Sequence, residues 1–484
     1  MASICTSNVT SGFIDLATFD ELEKYMYGGP DATAYFVRET RKSTWFTQVP
    51  VVLSRSSGNP GFDTEWSVSI SRAGDYLLTT WLRLTTPEIK PSKAFNDCCH
   101  LRIRWTRNFM HNLIREACIT FNDLVAARFD NYHLDFWTAF TVPAGKRTGY
   151  NNMIGNFSDM CDPHGGPNQS AGKTIPQFTL NLPLPFFFTR DSGVALPTAA
   201  LPYNDMRINF SFRCWRDLLI VDDISAVGSG MTRGGSCSTK GCYSRAATEG
   251  DIDGTPQLTN VQVWANYAIV SNDERKRMAC APRDILIEQV QTSPRQTFAP
   301  ATNASPSFDL RFSHAIKVLF FGVRNTTVRS QWSNYTAGCP VPGEVCVNFS
   351  APSMTDPLLQ TSIIYENTNR LSQMGSDFFS LINPWYHAPV IPLETGYHMY
   401  SYSLDFICLD PMGSTNYGKL TNVSIVPEAS ADAVLAAKGS FENTVDNPQD
   451  CSGANFCNTW ELIVTAVNNN IIRISGGALG FPVL

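Results

Sequence analysis

Apolar residues alternate with polar ones in short runs along most of the chain. Met206-Arg207-Ile208-Asn209-Phe210-Ser211-Phe212 puts an apolar side chain at every second position, and Phe178-Thr179-Leu180-Asn181-Leu182 does the same. A period of two sends successive side chains to opposite faces, so each run reads as a strand with one buried face. Val68 and Ile70 alternate with serines, and Tyr76 to Leu84 is rich in Leu, Thr and Trp. These runs predict strands from about Trp45 to Arg83. Residues 108–140 mix a strand with a loop or short helix that ends in Phe136-Trp137, and Gly145 to Gly172 reads as loop.

The pattern occurs twice. Phe62-Asp63, Ser69, Ala73 and the apolar Tyr76-Leu77-Leu78 lie early in the first half; Phe308-Asp309, Ser313, Ala315 and Val318-Leu319-Phe320-Phe321 lie early in the second. Ile119-Thr120-Phe121-Asn122 leads to Phe136-Trp137, and Ile363-Ile364-Tyr365-Glu366 leads to Pro384-Trp385. Val261, Val263, Ala265 and Ile269 are roughly repeated by Leu462, Val464, Ala466 and Ile471. Three anchors in one order indicate a duplicated unit. At 484 residues the chain is too long for one core, and two all-β domains of roughly 200–250 residues are expected. The organisation read from this is an N-terminal arm over 1–30, a first antiparallel sandwich over 31–270, a charged linker over 271–281 and a second sandwich over 282–484. In the arm, Thr18-Phe19-Asp20-Glu21 reads as a capping box that starts one short helix carrying Phe19, Leu22 and Met26 on one face, stopped by Gly28-Gly29-Pro30. That helix is too short to stand alone in water and packs either on its own sandwich or on a partner. The Gly/Ser/Thr-rich stretch 225–256 has almost no bulky apolar residue and reads as an exposed loop.

Composition narrows the function. Charged residues are 17% of the chain against a typical ~25%, and aromatics are 12%. Either much of the surface is covered by partners, since interface centres lose charge and gain aromatics, or a β-rich chain simply carries fewer Lys and Glu. The net charge is −6, and Arg102, Arg104 and Arg107 are interleaved with apolar residues on a strand, so no concentrated positive face for nucleic acid is present. The start, Met1-Ala2-Ser3-Ile4-Cys5, lacks a basic and apolar leader, and no apolar run approaches the ~18 residues of a membrane span. A soluble product made in the cytosol is expected. In that compartment most of the fourteen cysteines should be thiols. The close pairs Cys237/Cys242, Cys339/Cys346 and Cys451/Cys457 would be disulfides only if they form late, outside the cell.

Candidate chemistry is sparse. Gly165 to Thr174 ends like a phosphate-binding loop, but Pro167 stands where the first Gly is needed. Asp251-Ile252-Asp253-Gly254 lacks the later ligands of a calcium loop, and Cys98-Cys99-His100 and Cys161-Asp162-Pro163-His164 have no second metal-binding half. His133, His387 and His398 sit among aromatics, as hydrogen-bonded structural histidines do. Asn-x-Ser/Thr triplets at Asn156, Asn209, Asn325, Asn334 and Asn422 are ordinary for a chain rich in these residues. No catalytic, cofactor-binding or metal site is expected, and the chain reads as a structural protein rather than an enzyme.

Longer stretches carry a resemblance. Asn8 to Lys24, Lys146 to Asn156, Leu182 to Phe188 with Arg190-Asp191-Ser192-Gly193, and Leu201-Pro202-Tyr203-Asn204 resemble iridovirus major capsid proteins. Pro411-Met412-Gly413-Ser414-Thr415-Asn416-Tyr417 resembles a turn shared by the wider group of large double-stranded DNA virus capsid proteins. The resemblance covers essentially the whole chain and is poorest over 225–256. It implies an all-β double jelly roll, two tandem antiparallel eight-stranded sandwiches with short helices in loops. It also implies homotrimers that form pseudo-hexagonal capsomers, contact neighbouring capsomers and minor capsid proteins, and tile the outer icosahedral shell of the virion over an internal membrane. Such a protein is made and assembled in the host cytoplasm and binds no nucleic acid directly. The implied placement puts 225–256 outward and the arm inward. A carbohydrate-binding attachment module on the same fold is the alternative, although 225–256 offers only Tyr243 as an aromatic; a metal-dependent enzyme on a jelly roll would need a His/Glu cluster that the chain does not assemble.

Overall fold

The computed structural model describes residues 2–93, 101–161, 174–223, 243–337, 356–438 and 458–481. The chain divides into a leading unit, Met1–Trp45, and a main unit, Phe46–Leu484.

The leading unit holds two helices where one was expected: α1 (Ala2–Ala17) and α2 (Glu21–Met26). Thr18 does not cap α2. Its hydroxyl donates back to the Asp15 carbonyl at 2.6 Å, which closes the end of α1. Asp20 caps instead: its carboxylate accepts from the Glu21 N–H at 2.7 Å, and Glu23 accepts from the Asp20 N–H at 3.2 Å. The Ser/Thr/Asn-rich sequence of α1 has modest helix propensity and no apolar period, which hid the helix.

Among the described residues of the main unit, sixteen of the twenty-three strands fall into two sets of eight. The first set is β1 (Phe46–Val52), β2 (Glu65–Ser69), β3 (Tyr76–Thr85), β4 (Ile114–Phe121), β5 (Leu124–Phe129), β6 (Thr179–Pro183), β7 (Met206–Phe212) and β8 (Thr259–Val270). The second is β9 (Arg283–Thr292), β10 (Phe308–Asp309), β11 (Ala315–Asn325), β12 (Leu358–Tyr365), β13 (Thr368–Gly375), β14 (His398–Ser401), β15 (Val423–Ala429) and β16 (Trp460–Ser475). In the first lobe the sheets run β1-β8-β3-β6 and β2-β7-β4-β5. In the second they run β9-β16-β11-β14 and β10-β15-β12-β13. Adding eight to every strand number converts one lobe into the other, and every pairing is antiparallel. The third repeated anchor falls on equivalent strands: Val263 and Ala265 on β8 match Val464 and Ala466 on β16, all at most 1% exposed. Of the others, Tyr76-Leu77-Leu78 and Val318 to Phe321 lie on β3 and β11, but Phe62-Asp63 is a turn where Phe308-Asp309 is a strand, and Phe136-Trp137 and Pro384-Trp385 lie on helices. The strict alternation of β7 gives a buried apolar face and a half-buried polar one.

The first lobe carries additions. Arg55–Ser57 pairs with β2, and Leu101–Trp105, Leu219–Asp223 and Tyr243–Ala246 form a third small sheet. The far end of the 225–256 stretch therefore is not an exposed loop. Tyr243–Ala246 is a strand, and Ala247, Asp251 and Ile252 are buried. Residues 224–242 lie outside the described residues. Where loop was expected from Gly145, a helix runs over Ala144–Ile154, ended by Gly155 at φ 82°. A Cβ on Gly155 would lie 2.8 Å from the Met160 sulfur, so close packing as well as backbone sign selects glycine there. Two interior glycines conceal this helix in the sequence.

Two apolar clusters form the core. The second lobe encloses its own, with Leu319, Phe321, Ile425 and Val464. The larger one fills the first lobe and continues across the junction to Val318, Phe320, Met399 and Ile463 of the second. β11 is therefore buried on both faces, one toward its own sandwich and the other toward the first lobe.

Candidate functional site

The described part of the chain brings none of the sequence-level chemical candidates together. Asp251 is tied to Arg245 by two hydrogen bonds, at 2.7 and 2.8 Å, and also accepts from Thr248. Burial alone would raise its carboxyl, but these donors outweigh it and hold it below the ordinary carboxylate range. Cys161 is buried against the Gly155 carbonyl. His387 lies 3.0 Å from the Leu404 carbonyl through Nδ1. His398 stacks on Phe321 and contacts both Ser376 (2.8 Å) and Asp356 (2.7 Å) through the same nitrogen, Nε2. A nucleophile relay needs opposite ring nitrogens for the two partners, so the trio is a structural clasp. His133 is buried, and burial together with the nearby Arg190 charge lowers its pKa to about 3. Asn325 and Asn334 are 3% and 4% exposed, out of reach of any glycan transfer to the folded chain. Among the described residues no group of three or more His, Cys, Asp or Glu side chains could hold a metal ion. Nor is any helix among them long and apolar enough to cross a membrane. Gly165 to Lys173, Cys98-Cys99-His100, His164 and the pairs Cys237/Cys242, Cys339/Cys346 and Cys451/Cys457 lie outside the described residues.

The most elaborate arrangement is the junction between lobes. Its centre is α3 (Asn131–Thr141), which follows the β4–β5 hairpin and is capped by Asp130 accepting from the His133 N–H at 2.9 Å. Phe136 and Phe140 lie over Phe320 of β11 at ring distances of 6.2 and 5.4 Å, and Phe136 also meets Tyr335 and Tyr397. Trp137 meets Phe406 edge-on. Burying each such ring removes roughly 150–250 Å² from water.

Polar groups fix the register of this contact. Asp135, on the same helix, lies 2.8 Å from His111 Nδ1 and accepts from Ser333 at 2.7 Å, Tyr335 at 3.1 Å and Asn108 at 3.3 Å. His111 Nε2 is 2.6 Å from the Tyr150 hydroxyl. Two donors come from each lobe, so the acid joins them. Glu288 on β9 does the same, lying 2.5 Å from Arg190 of the first lobe and 2.5 Å from Lys317 of its own. Arg190 also sits 3.7 Å above the Trp137 ring, and Trp332 is clamped between Arg213 and Arg324 at 3.8 and 3.6 Å. A cavity of about 190 Å³ beside Asp135 is lined by Arg107, Arg147, Tyr150, Glu394 and Tyr397 among others. Of its charged groups, Arg107 pairs with Glu394 and Asp135 with His111 behind it, while Arg147 donates to the Thr138 carbonyl at 2.7 Å. Sequence reasoning found Phe136-Trp137 but not His111, Asp135 or Glu288, which carry no local motif.

The exposed surface is informative too. After the β12–β13 hairpin the chain forms a π-helical turn (Phe378–Ile382) that runs into α4 (Asn383–His387). Phe379 is buried in its own lobe, whereas Leu381, Ile382, Trp385 and Tyr386 are 48%, 45%, 71% and 74% exposed. The tyrosine hydroxyls of Tyr365, Tyr402 and Tyr417 meet nearby, 2.5 to 3.3 Å apart, and satisfy one another.

Known proteins share this architecture. Residues 34–270 match the family model described as major capsid protein N-terminus, and residues 274–480 match that of the large eukaryotic DNA virus major capsid protein. The major capsid protein of Costelytra zealandica iridescent virus is 62% identical over 100% of both chains, and that of Lymphocystis disease virus 1 is 48% identical over 100% of both. Among solved structures, PBCV-1 VP54 aligns with a TM-score of 0.67 at 20% identity, covering 93% of this chain and 100% of that one. The Faustovirus major capsid protein aligns at 0.66 and 14% identity, covering 92% and 93%.

Proposed function

The chain belongs to the major capsid protein family of large eukaryotic DNA viruses and has their double jelly-roll fold, and from that premise we propose that it works as a shell tile, by shape rather than turnover. Three copies close into a capsomer of pseudo-hexagonal outline. The observation that carries this is the eight-strand offset between lobes: two like blocks per chain turn a threefold ring into a near-sixfold one. A closing rotation uses heterologous contacts, one face of each copy against a different face of the next. Interfaces of this obligate kind bury roughly 2,000–5,000 Å², which suits a surface with only 17% charged residues in the chain. Capsomers then contact one another and minor capsid proteins in the outer icosahedral shell, over an internal membrane. In this reading 31–270 and 282–484 are the two jelly rolls, joined through 271–281. Synthesis and assembly take place in the host cytoplasm, and the net charge of −6 supports a tile that does not hold the genome directly.

Mass photometry of the recombinant chain tests the trimer. A species of three times 53.6 kDa is expected; a population of single chains at micromolar concentration would overturn the reading.

A further inference from the structure

Among the described residues, the second lobe has a covered sheet face and the first lobe has the same face only half-buried. Val263 on β8 stands opposite Leu82 on β3, and Val464 on β16 stands opposite Phe321 on β11. Superposing these repeated positions makes Trp81 the equivalent of Phe320. Phe320, paired with Thr465 and Met399 across the second-lobe sheet, is completely buried beneath α3. Among the described residues no helix stacks an aromatic ring on Trp81, which meets Trp264 alone. It belongs to a row that crosses all four strands of the first-lobe sheet: Val52, Trp264, Trp81 and Pro183 stand directly opposite one another. The two indoles stack at 6.1 Å, both are half-buried, and Val52 is 41% exposed.

The helices show the converse. Both lobes send a helix out of the equivalent hairpin. On α3 the outward aromatics are buried by the second lobe of the same chain. On the helix 378–387 the outward residues Leu381, Ile382, Trp385 and Tyr386 form two i, i+4 pairs on one stripe and are bare. The described residues of one chain thus hold a seated helix with its seat, plus an equivalent half-buried seat on one lobe and an exposed helix on the other.

Building on the shell-tile reading, we propose that the stripe Leu381/Ile382/Trp385/Tyr386 docks on the row Val52/Trp264/Trp81/Pro183 of the next copy of this chain. The contact repeats between chains what α3 and Phe320 make within one. First lobe to second and second lobe to next first then alternate around the ring, which three chains close. Adjacent exposed Trp and Tyr meeting a Trp pair is the composition that anchors protein interfaces.

The test is the double variant Trp385→Ser/Tyr386→Ser, measured by light scattering and circular dichroism beside the unmodified chain. Expected is a folded monomer with at least tenfold less trimer than the parent. If parent and variant are both trimers, this contact is wrong while the shell-tile reading stands. If the parent is itself monomeric, both fall. Benzoylphenylalanine in place of Trp385 covers the case of a variant that does not fold: irradiation should join two chains, with the link mapped to residues 79–83 or 262–266. Links found only within one chain, or to other segments of a second chain, would overturn the proposal.

Discussion

Asn122 and Glu366 occupy the same place in the two lobes and do the same work. Each is the first residue of a two-residue hairpin turn in the left-handed region, at φ 49° and 47°, followed by Asp123 at 66° and Asn367 at 64°. Each also accepts a backbone hydrogen bond from the neighbouring strand connection: Asn122 from the Asp205 N–H at 2.7 Å, Glu366 from the Asn422 N–H at 3.1 Å. Such turns match strand twist but require positive φ, which suits Asn far better than Glu. Glu366→Asn should therefore stabilise the protein by about 0.5–1 kcal/mol, because the acceptor is kept and part of the left-handed cost is removed. Urea denaturation measures this, and an unchanged or lowered midpoint would show that the Glu366 bond to Thr421 matters more than the backbone.

The duplication could be read from the chain because alternation and turn residues are local signals. β7, β8 and β16 were legible for that reason. The junction was not. Asp135 and His111 are separated by 24 positions and Asp135 and Ser333 by 198, so only the folded chain shows that they share one buried site. Helix Ala144–Ile154 was missed because its glycines argue for loop, while tertiary packing at Gly155 decides otherwise. The surface stripe at 381–386 needed exposure, which periodicity alone cannot supply, since an apolar helical face is more often core.

Gly322 of β11 leaves no room for a side chain beneath α3. A Cβ there would lie 2.9 Å from the Phe136 ring and 3.0 Å from the Gly396 carbonyl, both held by packing. Gly322→Ala should push α3 off β11 and cost about 1–3 kcal/mol, with increased protease cleavage near 131–141. Gly480→Ala, with open space around its Cβ, is the control and should change little.

Glu288 pairs with two cations at the junction, Arg190 and Lys317, whose side chains are 15% and 1% exposed. Lys317 also donates to the Cys408 carbonyl at 2.6 Å. Removing the acid alone strands both charges in a low-dielectric site, so Glu288→Leu should cost about 3–5 kcal/mol. Lys317→Met leaves the Arg190–Glu288 pair intact and should cost clearly less. Equal losses in urea melts would mean that packing, not charge, sets the value of this site.

His133 should make the fold acid-sensitive above the range in which carboxylates act. Burial, then the Arg190 charge, lowers its pKa from 6.5 to about 3 in the folded protein. Between those values the unfolded chain binds a proton that the folded one refuses. The stability it permits is thus complete above about pH 6.5 and declines as pH falls, by up to ~1.4 kcal/mol per unit. Asp75 and Asp251 run the same way in a lower window. Hydrogen bonds, chiefly from Arg275 to Asp75 and from Arg245 to Asp251, outweigh burial and hold both carboxyls below 3.8, so their contribution is lost only beneath about pH 4. Among the described residues the imidazole Nδ1 has no hydrogen-bond partner, and the ring lies 5.7 Å from that of Trp137, so an apolar ring can replace it. His133→Phe should leave stability at pH 7.5 within about 1.5 kcal/mol and flatten its decline between pH 6.5 and 4. A variant whose stability falls as steeply as the parent's over that interval would assign the acid sensitivity to other groups.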